Sequence, residues 1–261
     1  MVEEYVIKGT DVKWRYFQED ADEQEGVKAY LLGERGGPDA VLCRHSNGAK
    51  ARPHFHVGSQ FQMIVRGTSR FPDKTLEGPA VHYSDHNTAY GPFEMDNGHE
   101  MLVLHPAPAG QVFLHQDPAS FKKRANAKGR IMSRSANEVA WEDVPGAAGA
   151  RRKQLLTAQD GPIVEIVECE AGVTIPATAA PYGRYEYVRA GSVVCQGKTL
   201  EEGGLRFVRG KETPAALTAG RNGATVFLMA FDKDALLSET GGLSIEQRQN
   251  QFQEIKAMGK A

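Results

Sequence analysis

Cysteine is scarce in this chain: three residues in 261, Cys43, Cys169 and Cys195, widely spaced and odd in number. That pattern argues against a disulfide framework or a clustered thiolate zinc site, and leaves the thiols as small buried hydrophobes. Long apolar runs are missing as well. None approaches the ~18–20 residues that a membrane-spanning helix needs, and the opening MVEEYVIKGT lacks a signal peptide's basic-then-apolar order. A cytoplasmic protein with no membrane role is the expectation. Neither sign of charge prevails, because 31 Lys and Arg face 33 Asp and Glu for a net charge of −2. With no basic stripe to meet phosphates, nucleic acid is not an expected partner. The phosphate-cradling patterns G-x-G-x-x-G and G-x-x-x-x-G-K-[ST] are absent, so no nucleotide cofactor is indicated, and the G-x-S-x-G nucleophile elbow is absent too.

What is present is a β-rich pattern. The 41% hydrophobic and 25% charged content is ordinary for a globular protein, and the apolar runs are short, with turn signals every ~8–12 residues, as in a sandwich or closed barrel. Opening strands are expected around Trp14, Leu31 and Leu42, and a hairpin through Phe71 to Thr75. A type I′ turn is expected at Asn97-Gly98 before a buried strand Met101 to Leu104, since both turn residues tolerate positive φ. The same dipeptide recurs as Asn222-Gly223 before an apolar run from Thr225 to Phe231. At an offset of about 125 residues, Cys43 matches Cys169, Thr75-Leu76-Glu77 matches Thr199-Leu200-Glu201, Gly78 matches Gly203 or Gly204, and Trp14 has a counterpart in Trp141. Two copies of one β unit follow, over residues 1–135 and 136–261. Asp117 caps a short helix with Pro118 at its first position. A C-terminal helix is expected from the capping box Ser244 to Gln247 and the stripe Ile245, Phe252, Ile255 and Met258.

Chemistry concentrates between Gly48 and Gly67. His54 and His56 stand two apart, so a strand projects both rings to one face, where they can share a metal; Gln60 points the same way. Gln62, Ile64 and Arg66 continue that parity, and Arg66 is a candidate either as partner for a substrate carboxylate or as one side of an internal ion pair. All eight histidines lie before residue 116. Cys43 is two residues from His45, but Cys169 has no such neighbour, which favours packing over nucleophilic chemistry.

The spacing of Gly48, His54, His56 and Gly67 resembles the first motif of the cupins, with Gln60 where that motif has Glu. The resemblance implies an all-β chain of two tandem jelly-roll barrels, a bicupin. It implies a divalent transition metal, Fe, Zn, Ni or Mn, on His54, His56 and Gln60. The fourth ligand of the family is a His whose slot falls on or beside Tyr90; His82 or His86 could reach the metal instead, and Tyr90 or His82 is the candidate acid, base or hydrogen-bond donor. His99, His105 and His115 are expected to be ordinary polar residues. In the second unit the matching positions are Ala180, Tyr182 and Glu186, so the imidazoles are gone and Glu186 beside Arg184 reads as a salt-bridged core group. The implied function is a metal-dependent enzyme on a small organic substrate, a carboxylate or aromatic compound, by dioxygenase-like or lyase-like chemistry, in a homodimer. The alternative is a metal-free binding or structural bicupin.

Overall fold

The computed structural model describes residues 4–16, 24–33, 37–107, 109–208 and 214–235. The chain divides into two compact units, Lys13–Ser133 (the first unit) and Met1–Val12 with Arg134–Asp234 (the second). The expected C-terminal helix lies outside the described residues. Among those residues no helix is long and apolar enough to cross a membrane.

In chain order the strands are β1 (Glu4–Ile7), β2 (Arg15–Tyr16), β3 (Gln24–Leu32), β4 (Asp39–His45), β5 (Ala49–Ala51), β6 (His54–His56), β7 (Gln60–Arg70), β8 (Thr75–Glu77), β9 (Ala80–Ser84), β10 (Phe93–His105), β11 (Gln111–Phe113) and β12 (Ile131–Ser135). They continue with β13 (Glu142–Asp143), β14 (Ala150–Leu156), β15 (Ile163–Cys169), β16 (Thr174–Ile175), β17 (Arg184–Cys195), β18 (Lys198–Glu201), β19 (Leu205–Val208) and β20 (Leu217–Ala230). The helix α1 (Pro118–Arg124) starts where its cap predicts, with Ser120 N donating to Asp117 Oδ1 at 2.9 Å.

The first nine-stranded antiparallel sheet runs β12-β9-β7-β10-β4-β3-β2, with β5 on β10 and β8 on β7; β6 and β11 form a separate pair. The second runs β1-β19-β17-β20-β15-β14-β13, with β16 on β20 and β18 on β17. The long strands β7 and β10 are buried on both faces over Phe61–Val65 and Met101–Leu104 apart from Val103. This is why their sequence reads as continuous apolar runs rather than alternation.

Three expectations are corrected. β1 pairs with β19, so residues 4–12 belong to the second unit and not to a unit spanning 1–135. Asn97-Gly98 does not turn a hairpin. Both residues do have positive φ, but they sit inside β10 at a bulge, where the register against β7 jumps between Asp96 and Glu100. The backbone requirement was legible, whereas its use to bend one strand was not.

The third correction concerns repeat register. β7 and β17 each carry one extra residue, Val65 and Arg189, followed by a positive-φ glycine, Gly67 and Gly191. Superposing the two bulges places Gln60 on Arg184 and Gln62 on Glu186, not Gln60 on Glu186. The ladders then put His45, not Cys43, at the place of Cys169. Thr75-Leu76-Glu77 and Thr199-Leu200-Glu201 occupy equivalent positions in β8 and β18.

The two motif glycines differ in what they do. Both have φ of +81°, but a Cβ on Gly67 would lie 2.6 Å from His99 Cα, whereas one on Gly48 meets nothing within 4 Å. Gly48→Ala should therefore lose only the left-handed backbone term, about 1 kcal/mol. Gly67→Ala adds overpacking, for a total of about 2–4 kcal/mol. Urea midpoints of the two variants check this, and equal losses would contradict it.

Candidate functional site

Backbone contacts bring two distant stretches together. His54 and Tyr90 exchange N–H···O bonds (3.1 and 3.0 Å), and Asn87 N donates to His56 O at 2.7 Å, so the loop after β9 is stitched to β6. The opposite wall comes from β7 and β9, where Gln60 faces Ser84 and Gln62 faces His82. The Tyr90 ring lies between these walls, with its centre 4.5 Å from that of His54, 4.9 Å from His82 and 6.5 Å from His56. Its hydroxyl accepts from Gln60 Nε2 (2.7 Å) and Gln62 Nε2 (2.8 Å), and Gln60 Nε2 also donates to Ser84 Oγ at 3.2 Å. Phe71 closes the stack, 4.8 Å from His82 and 4.7 Å from Phe93.

Burial holds His82, His56 and Tyr90 neutral. It pushes His82 down to about 3, assisted by the charges of Lys74 and His54, and it holds His56 well below the usual histidine range, with His105 and His54 adding to the effect. Burial raises Tyr90 against the opposing pull of the two amides, so the phenol keeps its proton. His54, Gln60, Gln62, His82 and Tyr90 are all buried, yet Gln60 Oε1, Gln62 Oε1, His82 Nε2 and the neighbouring His56 Nδ1 have no hydrogen-bond partner. Turning either amide over moves the deficit to its nitrogen without removing it. Each such atom costs about 1–3 kcal/mol unless something satisfies it, which marks a place for a ligand.

The donor set fits a divalent ion in kind, and the separation of the two histidine rings is compatible with a shared one. His54 Nδ1 donates to Arg52 O at 2.6 Å, leaving that ring's lone pair on Nε2. The His54 and His56 ring centres are 5.2 Å apart and edge-on. A tetrahedral ion ~2.0–2.1 Å from one nitrogen of each ring requires centres about 5 Å apart. Gln60 adds an unpartnered amide oxygen. The set contains no carboxylate, and among the described residues no group of three or more His, Cys, Asp or Glu is arranged to hold a metal.

Arg66 is not in this site. The bulge at Val65 reverses parity, so Arg66 turns to the Phe61 and Met63 face, is exposed, and donates to Glu100 Oε1 at 2.9 Å. His86 sits on the Tyr90 loop with its amide on Ser59 Oγ (3.0 Å) and its Nδ1 enclosed without a partner. His105 was passed over as ordinary, but it is buried, its ring centre is 5.1 Å from that of His56, and its Nδ1 is 3.7 Å from Asp39 Oδ2. The missed signal was parity: β10 runs one residue past Leu104, and Val103 already faces Gln62. His99 joins His45 (Nδ1 to Nδ1, 3.1 Å) and Ser69 Oγ (2.8 Å) in a buried chain elsewhere in the unit, and His115 is exposed.

No protein-family model matches the chain, and no curated protein matches it in sequence. Solved structures do match in shape. A candidate dioxygenase from Nostoc punctiforme has a TM-score of 0.64 at 10% identity, over 90% of this chain and 85% of that one. Oxalate decarboxylase from Bacillus subtilis has a TM-score of 0.61 at 11% identity, over 88% of this chain and 76% of that one. A candidate glyoxylate-induced protein from Pseudomonas aeruginosa has a TM-score of 0.59 at 13% identity, over 92% of each chain. The architecture is cupin-like.

The two cupin-like units differ at their centres. Where the first has Gln60, Gln62 and His82, the second has Arg184, Glu186 and Arg206 in the same ladder positions. Glu186 pairs with Arg184 through Oε1 and with Arg206 Nη1 through Oε2 (2.9 Å), and Arg206 Nε donates to Glu4 Oε1 at 2.6 Å. Ala180 is buried and Tyr182 is exposed, so no imidazole enters this centre.

The buried histidines set an acid limit. His45 is pushed down to about 4, and His82 and His99 to about 3, all chiefly by burial. Lowered folded values mean that the unfolded chain binds more protons below its own value near 6.5. Stability is therefore full above that value and falls as pH drops toward 4, by up to about 1.4 kcal/mol per pH unit for each ring. Melting temperatures of chelated protein from pH 7.5 to 4 should fall steadily, and less steeply in His82→Gln; a flat profile would contradict the burial of neutral rings.

Proposed function

We propose that the chain is a bicupin whose first barrel is a metal-dependent enzyme acting on a small organic substrate, a carboxylate or an aromatic compound, by dioxygenase-like or lyase-like chemistry. The observation that carries this reading is the group of unpartnered buried atoms on His56, Gln60, Gln62 and His82 around Tyr90. His54, His56 and Gln60 would hold the ion. The neighbours lend support: one is a candidate dioxygenase, another decarboxylates oxalate, and Mn(II) centres are named for the latter. Mn therefore stands with Fe, Zn and Ni as a candidate metal.

When bound, the ion supplies a Lewis acid that polarises a carbonyl or carboxylate oxygen. The chain's own groups orient and hydrogen-bond. Tyr90 retains its proton at neutral pH and can donate it toward developing negative charge. His82 binds protons too weakly to serve as a base near neutrality, so its Nε2 acts as a hydrogen-bonding group beside Gln62. The stacked rings of Phe71 and Phe93 keep water from this wall.

A metal-free binding barrel is the second reading. The Tyr90 hydroxyl, already engaged by both amides, favours it. Elemental analysis after expression with added Mn, Fe, Zn or Ni separates the two. The enzyme reading predicts one ion per chain, its loss in His54→Ala and His56→Ala, a lower melting temperature on chelation, and affinity raised about tenfold in Gln60→Glu by the added negative charge. No ion after supplementation, with melting unchanged by chelator, supports the binding barrel instead.

A further inference from the structure

Arg66 is exposed and paired with Glu100, which leaves open which side-chain cation of this unit would meet a substrate's charge. The turn between β7 and β8 closes through Phe71 N donating to Lys74 O at 2.8 Å. It carries Phe71 onto the wall of the site, packed against both the Tyr90, Phe93 and Met95 cluster and the Ile64, Leu76 and Ala80 cluster. Lys74 Nζ stands 5.7 Å from the centre of that Phe71 ring, and Lys74 is half-buried. Its charge reaches His82, where it is the second cause of the ring's low proton affinity.

Four arginines of this unit are already paired with carboxylates. Arg44 and Arg66 share Glu100, Arg70 binds Glu94 and Asp96, and Arg130 grips Asp85. Among the described residues no carboxylate pairs with Lys74. An ammonium held half out of water over an aromatic ring, without a counterion, is a ready partner for an anion.

We propose that Lys74 is the anion-recognising residue of the first barrel, taking the carboxylate of a small planar acid that lies against the Phe71 and His82 wall. This rests on the reading that the Tyr90-centred cluster is the functional site, and it deepens that reading by naming the substrate class.

Calorimetric titration with benzoate and with benzamide, which share a ring and differ in charge, tests the assignment. Loss of one charge-assisted contact corresponds to about tenfold or more in affinity. The native protein should bind benzoate about tenfold tighter than benzamide, Lys74→Met should abolish that preference while leaving benzamide unchanged, and Lys74→Arg should restore it. Equal binding of the two compounds by the native protein, no benzoate binding at millimolar concentration, or a preference surviving in Lys74→Met would overturn it. Running each titration with metal-loaded and chelated protein keeps the two readings apart. Benzoate preference that depends on Lys74 in a protein that takes up no ion removes the metal and keeps Lys74. Normal ion uptake without any preference does the reverse.

Discussion

The hydroxyl of Tyr90, clasped by two buried glutamine amides, is the contact on which the first unit is organised. A phenol, two amides and three imidazoles occupy a space where an unpaired charge would be prohibitively costly, and burial favours the uncharged forms of Tyr90, His56 and His82. Neutrality is what makes the arrangement stable without salt bridges. It also leaves acceptors and lone pairs that the fold itself does not use. The second unit shows the other solution on the same ladder positions: Arg184, Glu186 and Arg206 neutralise one another, and apart from Arg206 Nη2 the network consumes its own hydrogen-bonding capacity. Buried ion networks of this kind are structural fillers more often than ligand sites. One scaffold thus carries a neutral polar centre with unpartnered atoms and an ionic one that is nearly satisfied.

The scaffold enforces this through a bulge. In both units the long inner strand keeps its inward face only up to the residue before the extra one, then a glycine at positive φ lets the strand turn against its partner. In the first unit the partner is the backbone of His99, too close for any side chain on Gly67. Glutamines upstream of the bulge therefore face Tyr90, while Arg66 downstream of it faces Glu100.

Much of this could be read from the residues. The spacing of His54, His56 and Gln60 supplied side chains from both walls, the loop slot at Tyr90 supplied the ring between them, and the absence of histidine from the second half pointed to an altered centre there. What could not be read followed from one physical fact, that a period of two survives only while the ladder is regular. A bulge leaves no mark in composition, so Arg66 was placed inside; Glu186 was aligned two residues off for a different reason, because the offset that joins Cys43 to Cys169 is not the one that joins β7 to β17. Asn97-Gly98 announced positive φ correctly, but a dipeptide cannot say whether the chain reverses or merely bends. His105 was legible in principle, by counting from Val103, and was missed because its run ended at Leu104.

Crystals grown with manganese and measured for anomalous scattering test the central claim most directly. The account predicts a single peak between the His54 and His56 rings, within reach of the Gln60 amide, and none beside Glu186 in the second unit. A peak at Glu186, or no peak at the histidines while the Tyr90 hydroxyl still rests between Gln60 and Gln62, would contradict it.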